Sequence, residues 1–458
     1  MHHKFNLRKL LLFSVFALSI IAYTSSCKKT NELRAKTDSS YDDITTSRAT
    51  GKPNIILILG DDVGFEIPTV NGGRSYETPN IDGMAQQGMR FTQAYASPLC
   101  SPSRFMLMTG KYNFRNYNAW GVMNPNEKTL ATLLKSAGYT TYVSGKWQFD
   151  GGDAEIRSLG FDDYSVWDAY ENDNFLGSHY KNPAIYENGA LLPASATLNK
   201  YGDDIFTDRV LNFVSANRNR KFFVYFPITL AHKPFGPTPD DAAAFANWDP
   251  SDSNSDATFF PSMIKYMDKK LGQLNDSLKA WNLNNNTIII FAGDNGTPSE
   301  IVSKFNNKDL IGGKSQSNIT GTRIPMMITW PSKIVPGTVN GNLVDFTDFL
   351  PTFAEAAGIS VPADYGTVDG VSFYKQLSNV NSASRSWLFN HYQPLSKDGE
   401  NQTLKRWAQN KMYKLYDSSD NFYNIKDDPY EKKPIKNLSF GEQQTKATLR
   451  GVIDAEHN

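Results

Sequence analysis

One of the two cysteines of this chain lies in a segment whose residue types could hold an anion beside a nucleophile. The segment reads Cys-Ser-Pro-Ser-Arg at 100–104 and is followed by Thr-Gly at 109–110. Proline suits the first turn of a helix, so Pro102 predicts that a helix begins here. The N-terminal amides of that helix would face an anion beside Cys100. The Arg104 guanidinium would orient an oxygen nucleophile or an oxyanion through its fixed set of donors.

Two pairs of oxygen-bearing side chains form a second candidate site. Asp61 and Asp62 follow an apolar run at 54–59, and Asp294 and Asn295 follow another at 287–292. Three carboxylates and an amide are hard ligands that suit Ca²⁺, or less well Mg²⁺, rather than Zn²⁺. Each pair alone would more often form a turn or a helix cap. Their presence together with Cys100 favours a metal site.

Cations and a histidine fall near further strand ends. Lys146 follows a strand-like segment at 139–143, His232 follows another at 222–226, and Lys314 lies in Gly-Gly-Lys at 312–314. In open α/β sheets, ligands bind in the crevice outside the carboxyl ends of the strands. One crevice could therefore collect these side chains and the carboxylates. Gln148 is a polar positioning candidate near Lys146, since an amide hydrogen-bonds but does not exchange a proton near neutral pH.

The elements that must position these residues alternate between strand and helix patterns. Residues 129–137 place leucines at helical spacing before Gly138, and the buried-strand patterns surround this helix. We predict an α/β fold with a mostly parallel central sheet flanked by helices over residues 52–371. After Ser372 aromatic residues mix with turn signals, which predicts a smaller C-terminal antiparallel α+β subdomain over 372–458.

The N-terminus and the composition limit location and partners. Basic residues, an apolar run at 10–22 and Thr-Ser-Ser-Cys at 24–27 are typical of a lipoprotein signal peptide and lipobox ending at Cys27. The alternative is an ordinary secretory signal. Residues 28–51, polar and rich in Ser and Thr, would then form a flexible tether. Lys plus Arg and Asp plus Glu both number 47, so no global charge indicates a nucleic acid partner.

The segment at 100–110 resembles the active-site signature of the type I sulfatases, which belong to the alkaline phosphatase-like superfamily. The resemblance covers roughly residues 52–435, and it includes Asp-Pro-Tyr-Glu at 428–431, which resembles the C-terminal hairpin of the family. It implies an alkaline phosphatase-like fold and a sulfuric ester hydrolase. It also implies that a maturation enzyme oxidises Cys100 to formylglycine, whose hydrate is the nucleophile.

The resemblance also implies roles for the other candidates. The metal would be calcium, held by residue 100 together with Asp61, Asp62, Asp294 and Asn295. Lys146 and Lys314 would bind sulfate together with Arg104, and His232 would give a proton to the leaving group. Gln148 departs from the family pattern, which commonly has a histidine at this position.

The sequence leaves several hypotheses on substrate and activity open. An envelope-tethered sulfatase suggests sulfated carbohydrate as substrate, and Trp120, Trp167 and His179 are candidates to contact sugar, although plain packing explains each of them. One alternative is a phosphonate monoester or phosphodiester hydrolase of the same superfamily; a phosphatase would normally have Ser or Thr in place of Cys100. Another is a non-catalytic glycan-binding lipoprotein, which only Gln148 favours.

Overall fold

The computed structural model describes residues 51–170, 177–250, 255–395 and 403–456. The predicted signal peptide and lipobox at 1–27, and the predicted tether except Gly51, lie outside these residues. The strands are β1 (Asn54–Gly60), β2 (Met89–Tyr95), β3 (Thr140–Lys146), β4 (Asp163–Trp167), β5 (Tyr186–Glu187), β6 (Ala190–Leu191), β7 (Phe222–Ile228), β8 (Thr287–Gly293), β9 (Val302–Phe305), β10 (Lys308–Ile311), β11 (Arg323–Thr329), β12 (Thr338–Asp345), β13 (Leu388–Tyr392), β14 (Lys405–Gln409), β15 (Tyr413–Tyr416) and β16 (Phe422–Asn424).

Ten strands form one sheet in the order β12-β2-β11-β8-β1-β7-β3-β4-β5-β6. At its centre β1 pairs in parallel with β7 and β8, and β3 pairs in parallel with β7 and β4. β11 runs antiparallel between β8 and β2, and β5 and β6 add an antiparallel edge. The predicted mostly parallel central sheet is confirmed.

Alternating side chains of the central strands feed two separate cores, one on each face of the sheet. In β1, Ile55 and Leu57 belong to one core, whereas Ile56 and Ile58 belong to the other. A strand buried on both faces has no polar positions, which explains its continuous apolar run.

The helices are α1 (Pro79–Gln87), α2 (Cys100–Thr109), α3 (Leu130–Ser136), α4 (Gly152–Ser158), α5 (Ala194–Thr197), α6 (Gly202–Ala216), α7 (Ala242–Asn247), α8 (Phe260–Ala280), α9 (Ile319–Thr322), α10 (Phe349–Ala356) and α11 (Phe440–Ala455).

Helices cover both faces of the sheet. α2, α3, α10 and α11 contribute to the core that contains Ile55, and α1, α6 and α8 contribute to the core that contains Ile56. Thr129 caps α3 through a reciprocal capping box, and Gly138 follows the helix in a left-handed conformation. Among the described residues, no helix combines the length and apolar character needed to cross a bilayer.

Two glycines let the strands approach closely where the polar residues follow. A Cβ on Gly145 in β3 would lie 2.1 Å from the carbonyl oxygen of Pro227, and Gly145 has a φ of 118°. A Cβ on Gly293, at the end of β8, would lie 2.0 Å from the carbonyl oxygen of Val63. Glycine is the residue that tolerates both the positive φ and the close contact. These contacts draw the carboxyl ends of β1, β3, β7 and β8 together.

A separate four-stranded antiparallel sheet follows the main body. Its order is β13-β14-β15-β16, and α11 packs against β14 and β15. The predicted antiparallel C-terminal unit is confirmed. Its apolar residues, including Ala408, Leu415 and Phe422, are continuous with one core of the main sheet. The small sheet is therefore bound to the helical layer that contains α2.

Candidate active site

Cys100 is the first residue of α2 and lies 2% exposed among the strand ends. The Gln148 side-chain amide donates to its Sγ at 2.9 Å. Burial raises the pKa of the Cys100 thiol. A neutral buried thiol is a weak nucleophile, because the thiolate is the reactive form. The position is thus shaped to hold a reactive atom, but the unmodified side chain is poorly suited to be one.

The four predicted oxygen ligands meet in one fully buried cluster. Asp61 and Asp62 follow β1, whereas Asp294 and Asn295 follow β8, and each has 0% exposure. The Asp62 backbone N–H donates to Asp294 Oδ1 at 3.0 Å, and the Asn295 amide donates to Asp62 Oδ1 at 2.8 Å. Asp61, Cys100 and Asp294 each offer a ligand atom within 4.8 Å of the others, and so do Asp61, Asp62 and His232.

The donor set of this cluster fits a hard divalent cation. The buried Asp61 Oδ1 and Asn295 Oδ1 atoms have no hydrogen-bond partner. An unpaired buried oxygen is costly, and it calls for an ion or water as partner. Burial, with the Asp61 charge, raises the pKa of Asp294 to about 7 and also raises that of Asp62. A bound cation would stabilise the ionised forms of both carboxylates.

Each carboxylate of the cluster is paired with a different cation. Lys146 Nζ lies 2.7 Å from Asp61 Oδ2, and Lys314 Nζ lies 2.7 Å from Asp62 Oδ2. Burial alone would raise the pKa of Asp61, but Lys146 and other nearby cations hold it below its usual range. The site thus carries balanced charges in a water-poor crevice, where electrostatic interactions are strong.

Arg104 links Asp294 to the end of β3. Its guanidinium is fully buried, donates through two nitrogens to Asp294 Oδ2 at 2.9 and 3.2 Å, and donates through a third to the carbonyl oxygen of Lys146 at 3.2 Å. Arg104 therefore fixes Asp294 relative to the end of β3. Arg104 is the fifth residue of α2.

His232 follows β7 at the mouth of the cluster. Its side chain is 26% exposed, with Nε2 4.0 Å from Asp62 Oδ2 and Nδ1 2.8 Å from the carbonyl oxygen of Lys233. Burial and the charges of Lys146 and Lys314 lower its pKa well below the usual value. A neutral imidazole held in this way can hydrogen-bond a ligand that enters the crevice.

The three candidates for sugar contact differ in their exposure. Trp167 is the last residue of β4 and is 7% exposed, and His179 is 6% exposed with its ring 4.4 Å from that of Trp167. The His179 ring also lies 6.2 Å from that of His232, at the edge of the site. Trp120 is partly buried in the segment between α2 and α3. Trp120 is therefore the most exposed of the three.

Thr297 is a site residue that the sequence reasoning missed. Its carbonyl oxygen accepts from the Lys314 backbone N–H at 2.9 Å, and its hydroxyl accepts from the Gly64 N–H at 3.1 Å. It therefore connects the segment after Asp62 with the loop that carries Lys314. The one available signal was its position two residues after Asn295.

Two family models match this chain. The model described as Sulfatase matches residues 53–359, and the model described as N-sulphoglucosamine sulphohydrolase, C-terminal, matches residues 318–454. The chain is 31% identical over 356 residues to N-acetylgalactosamine-6-sulfatase of Mus musculus, which covers 70% of this chain and 65% of the mouse protein. The matched region thus spans less than two thirds of that relative.

Solved structures share the fold at low identity. One, described as being in complex with its substrate D-glucosamine-2-N,6-O-disulfate, has a TM-score of 0.70 and 21% identity, over 89% of this chain and 97% of its own. The phosphonate monoester hydrolase of Agrobacterium radiobacter has a TM-score of 0.62 and 16% identity, over 88% of this chain and 94% of its own. The Sulfatase family model covers most of the chain and both halves of the buried cluster. The chain therefore belongs to the sulfatase family of the alkaline phosphatase-like superfamily.

Proposed function

We propose that this chain hydrolyses sulfate esters of sulfated carbohydrates. The observation that carries the proposal is the convergence of Cys100, three buried carboxylates and the paired cations Lys146 and Lys314 in one crevice. A sulfate ester is negatively charged before and during the reaction, so fixed cations stabilise it where charge moves to the leaving oxygen. The mouse relative is named for a sulfated amino sugar, which supports carbohydrate as the substrate class.

We propose further that Cys100 acts after conversion to formylglycine by a maturation enzyme. In its hydrated form, residue 100 supplies one hydroxyl that attacks sulfur and a second that later expels sulfate. The raised pKa of the Cys100 thiol supports the need for conversion, because the unmodified side chain is not ionised at neutral pH. Gln148, 2.9 Å from Sγ, would orient the converted group by hydrogen bonding.

The remaining residues bind, orient and protonate. Asp61, Asp62, Asp294 and Asn295 would hold Ca²⁺, which supplies positive charge beside residue 100 and a sulfate oxygen. Lys146 and Lys314 contact these carboxylates and would turn toward the sulfate oxygens. Arg104 keeps Asp294 in place, and His232 at the mouth gives a proton to the departing alcohol. The negative charge of the substrate would raise the low pKa of His232. A larger fraction of the imidazole would then be protonated and able to donate its proton to the leaving group.

Two measurements on the same preparation test this function. Co-expression with a formylglycine-generating enzyme should produce a Cys100 peptide with the mass of the aldehyde, and the converted protein should release sulfate from a panel of sulfated oligosaccharides. A comparison of aryl sulfate with aryl phosphonate and phosphodiester substrates separates the alternative, since a phosphonate monoester hydrolase shares the fold. Preference for the phosphorus substrates would contradict the proposal.

His232 should matter in proportion to how poor the leaving group is. We expect His232→Ala to lower kcat about 10²- to 10⁴-fold on a sugar sulfate, whose alkoxide needs a proton as it leaves. The loss on p-nitrophenyl sulfate should be much smaller, because nitrophenolate leaves without one. Parallel kinetics on the two substrates check this. An equal loss on both would assign His232 to sulfate binding instead of proton transfer.

We also propose that the chain is exported and lipid-anchored through Cys27. The support is the sequence pattern at residues 4–27. Metabolic labelling with a radioactive fatty acid should mark the wild-type protein in the membrane fraction, whereas Cys27→Ala should be unlabelled. Cys100→Ala is the matched control, and it should be labelled like the wild type. Labelling that survives in Cys27→Ala would contradict the anchor.

A further inference from the structure

The loop that carries Lys314 is contacted at both ends by C-terminal residues, which lie in the small sheet and in the segment that follows it. This loop, residues 312–317, connects β10 with the short helix α9. Within it, the Lys314 N–H donates to the Thr297 carbonyl oxygen and the Ser315 N–H donates to the Pro98 carbonyl oxygen. Ser315 has a φ of 67°, a left-handed conformation that side chains rarely adopt. Such a conformation persists where the surroundings hold it.

The first of these contacts is a hydrogen bond at the start of the loop. The backbone N–H of Ile311 donates to the Tyr430 hydroxyl at 3.1 Å. Tyr430 belongs to the Asp-Pro-Tyr-Glu segment at 428–431, whose role the sequence did not reveal. The next residue, Glu431, is linked to the other end of the same loop through Lys414 and Tyr416.

The second contact, at the end of the loop, is a buried network of charged and hydrogen-bonded side chains around Ser317. Lys414 of β15, with 0% exposure, donates to the Ser317 carbonyl oxygen and lies 3.0 Å from Glu431 Oε1. The Tyr416 hydroxyl lies 2.8 Å from Ser317 Oγ and also hydrogen-bonds Glu431 Oε2. The Lys414 ammonium further lies 4.3 Å from the centre of the Trp407 ring.

A buried ammonium makes this network intolerant of loop movement. Removing one acceptor from a buried charge is costly, because the charge cannot regain water. Lys414 divides its donors between Glu431 and the carbonyl oxygen of Ser317, so displacement of the loop would leave a donor unpaired. Such networks are also specific in geometry when every member has a partner. The network therefore favours one position of the loop.

We propose that Lys414, Tyr416, Tyr430 and Glu431 form a clamp that positions Lys314 for sulfate binding. The inference rests on the proposed function in one respect, the role of Lys314, whose Nζ lies 2.7 Å from Asp62 Oδ2. The clamp residues do not touch the reacting atoms; they act through the loop. The small sheet is thereby part of the active-site scaffold.

The test combines a kinetic readout with one that needs no activity. The double variant Tyr416→Phe/Tyr430→Phe removes two hydroxyls and retains both rings. Amide hydrogen exchange in residues 312–317 should become about 10-fold faster, since the loop loses one of the side-chain hydrogen bonds at each of its ends. For an aryl sulfate, kcat/KM should fall about 10- to 100-fold, chiefly through KM. Tyr413→Phe is the matched control, because Tyr413 lies on the same strand as Tyr416 and its ring stacks on that of Phe422 in β16.

A second variant, Glu431→Gln, asks whether the charge matters, and it should show the same two changes. Faster exchange limited to the loop, with Tyr413→Phe unchanged, supports the clamp even if wild-type protein releases no sulfate, in which case only the proposed function fails. Unchanged exchange in the double variant overturns the clamp, even in a fully active enzyme. Equal acceleration across the small sheet and in Tyr413→Phe would also overturn it, because that pattern indicates general loosening.

Discussion

Replacing Cys100 with alanine is expected to lower the rate of sulfate release by about 10⁴-fold or more, the scale seen when a catalytic nucleophile is removed. The substitution should leave the fold intact, because the Sγ atom has one hydrogen bond, from Gln148, worth about 1 kcal/mol. The measurement is sulfate release from an aryl sulfate by converted wild type and by the variant, with the unfolding temperature of each as a check on folding.

Two controls distinguish conversion of Cys100 from a direct role of its thiol. Wild-type protein produced without a maturation enzyme should be as inactive as Cys100→Ala, since the raised pKa of Cys100 keeps the thiol neutral. Cys100→Ser produced in the same way should turn over at most once per molecule, because a sulfate ester on serine has no neighbouring hydroxyl to expel it. Full activity of the unconverted thiol would contradict the mechanism.

The strand ends that carry the site were predictable from sequence. The apolar runs at 54–59 and 287–292 become β1 and β8 with one added glycine each. Runs that are buried on both faces have a local signature, and their polar C-terminal neighbours follow directly in sequence. Because ligands of open α/β sheets bind outside the carboxyl ends of the strands, Asp61, Lys146 and Asp294 could be predicted to lie in one crevice without knowledge of strand order.

Strand order and side-chain partners were beyond the sequence. β11 lies antiparallel between β8 and β2, a position that is defined by its pairing with both neighbours. Arg104 donates to Asp294, which is 190 residues away in the chain. Such pairings depend on how elements are placed in space, which local pattern does not encode.

The clamp on the Lys314 loop shows the same limit. The segment at 428–431 was recognisable by resemblance, but its contact with Ile311 joins residues 119 positions apart. The local sequence does not distinguish Lys414 from other lysines in strands, and lysine side chains are normally exposed. Only its 0% exposure reveals a buried charge that must have partners.

Calcium is expected to stabilise the purified protein as well as activate it. At a free concentration 100 times its Kd, Ca²⁺ should raise the free energy of unfolding by about 2.7 kcal/mol. The physical reason is that the ion would pair with the unpartnered Asp61 Oδ1 and Asn295 Oδ1 and offset repulsion among the three buried carboxylates. The measurement is the unfolding temperature after chelation, followed by titration with Ca²⁺ and, separately, Mg²⁺, which should give a smaller rise.

The matched pair of variants ties this stabilisation to the cluster. Asp294→Asn removes a ligand charge and should abolish most of the rise, along with sulfatase activity. Asp203→Asn alters another carboxylate of 0% exposure, one that accepts from the Thr229 backbone and hydroxyl, and its response to Ca²⁺ should match that of the wild type. Because stability is read without substrate, an equal rise in Asp294→Asn would place the ion elsewhere, whereas no rise in wild type would remove the metal from the site altogether.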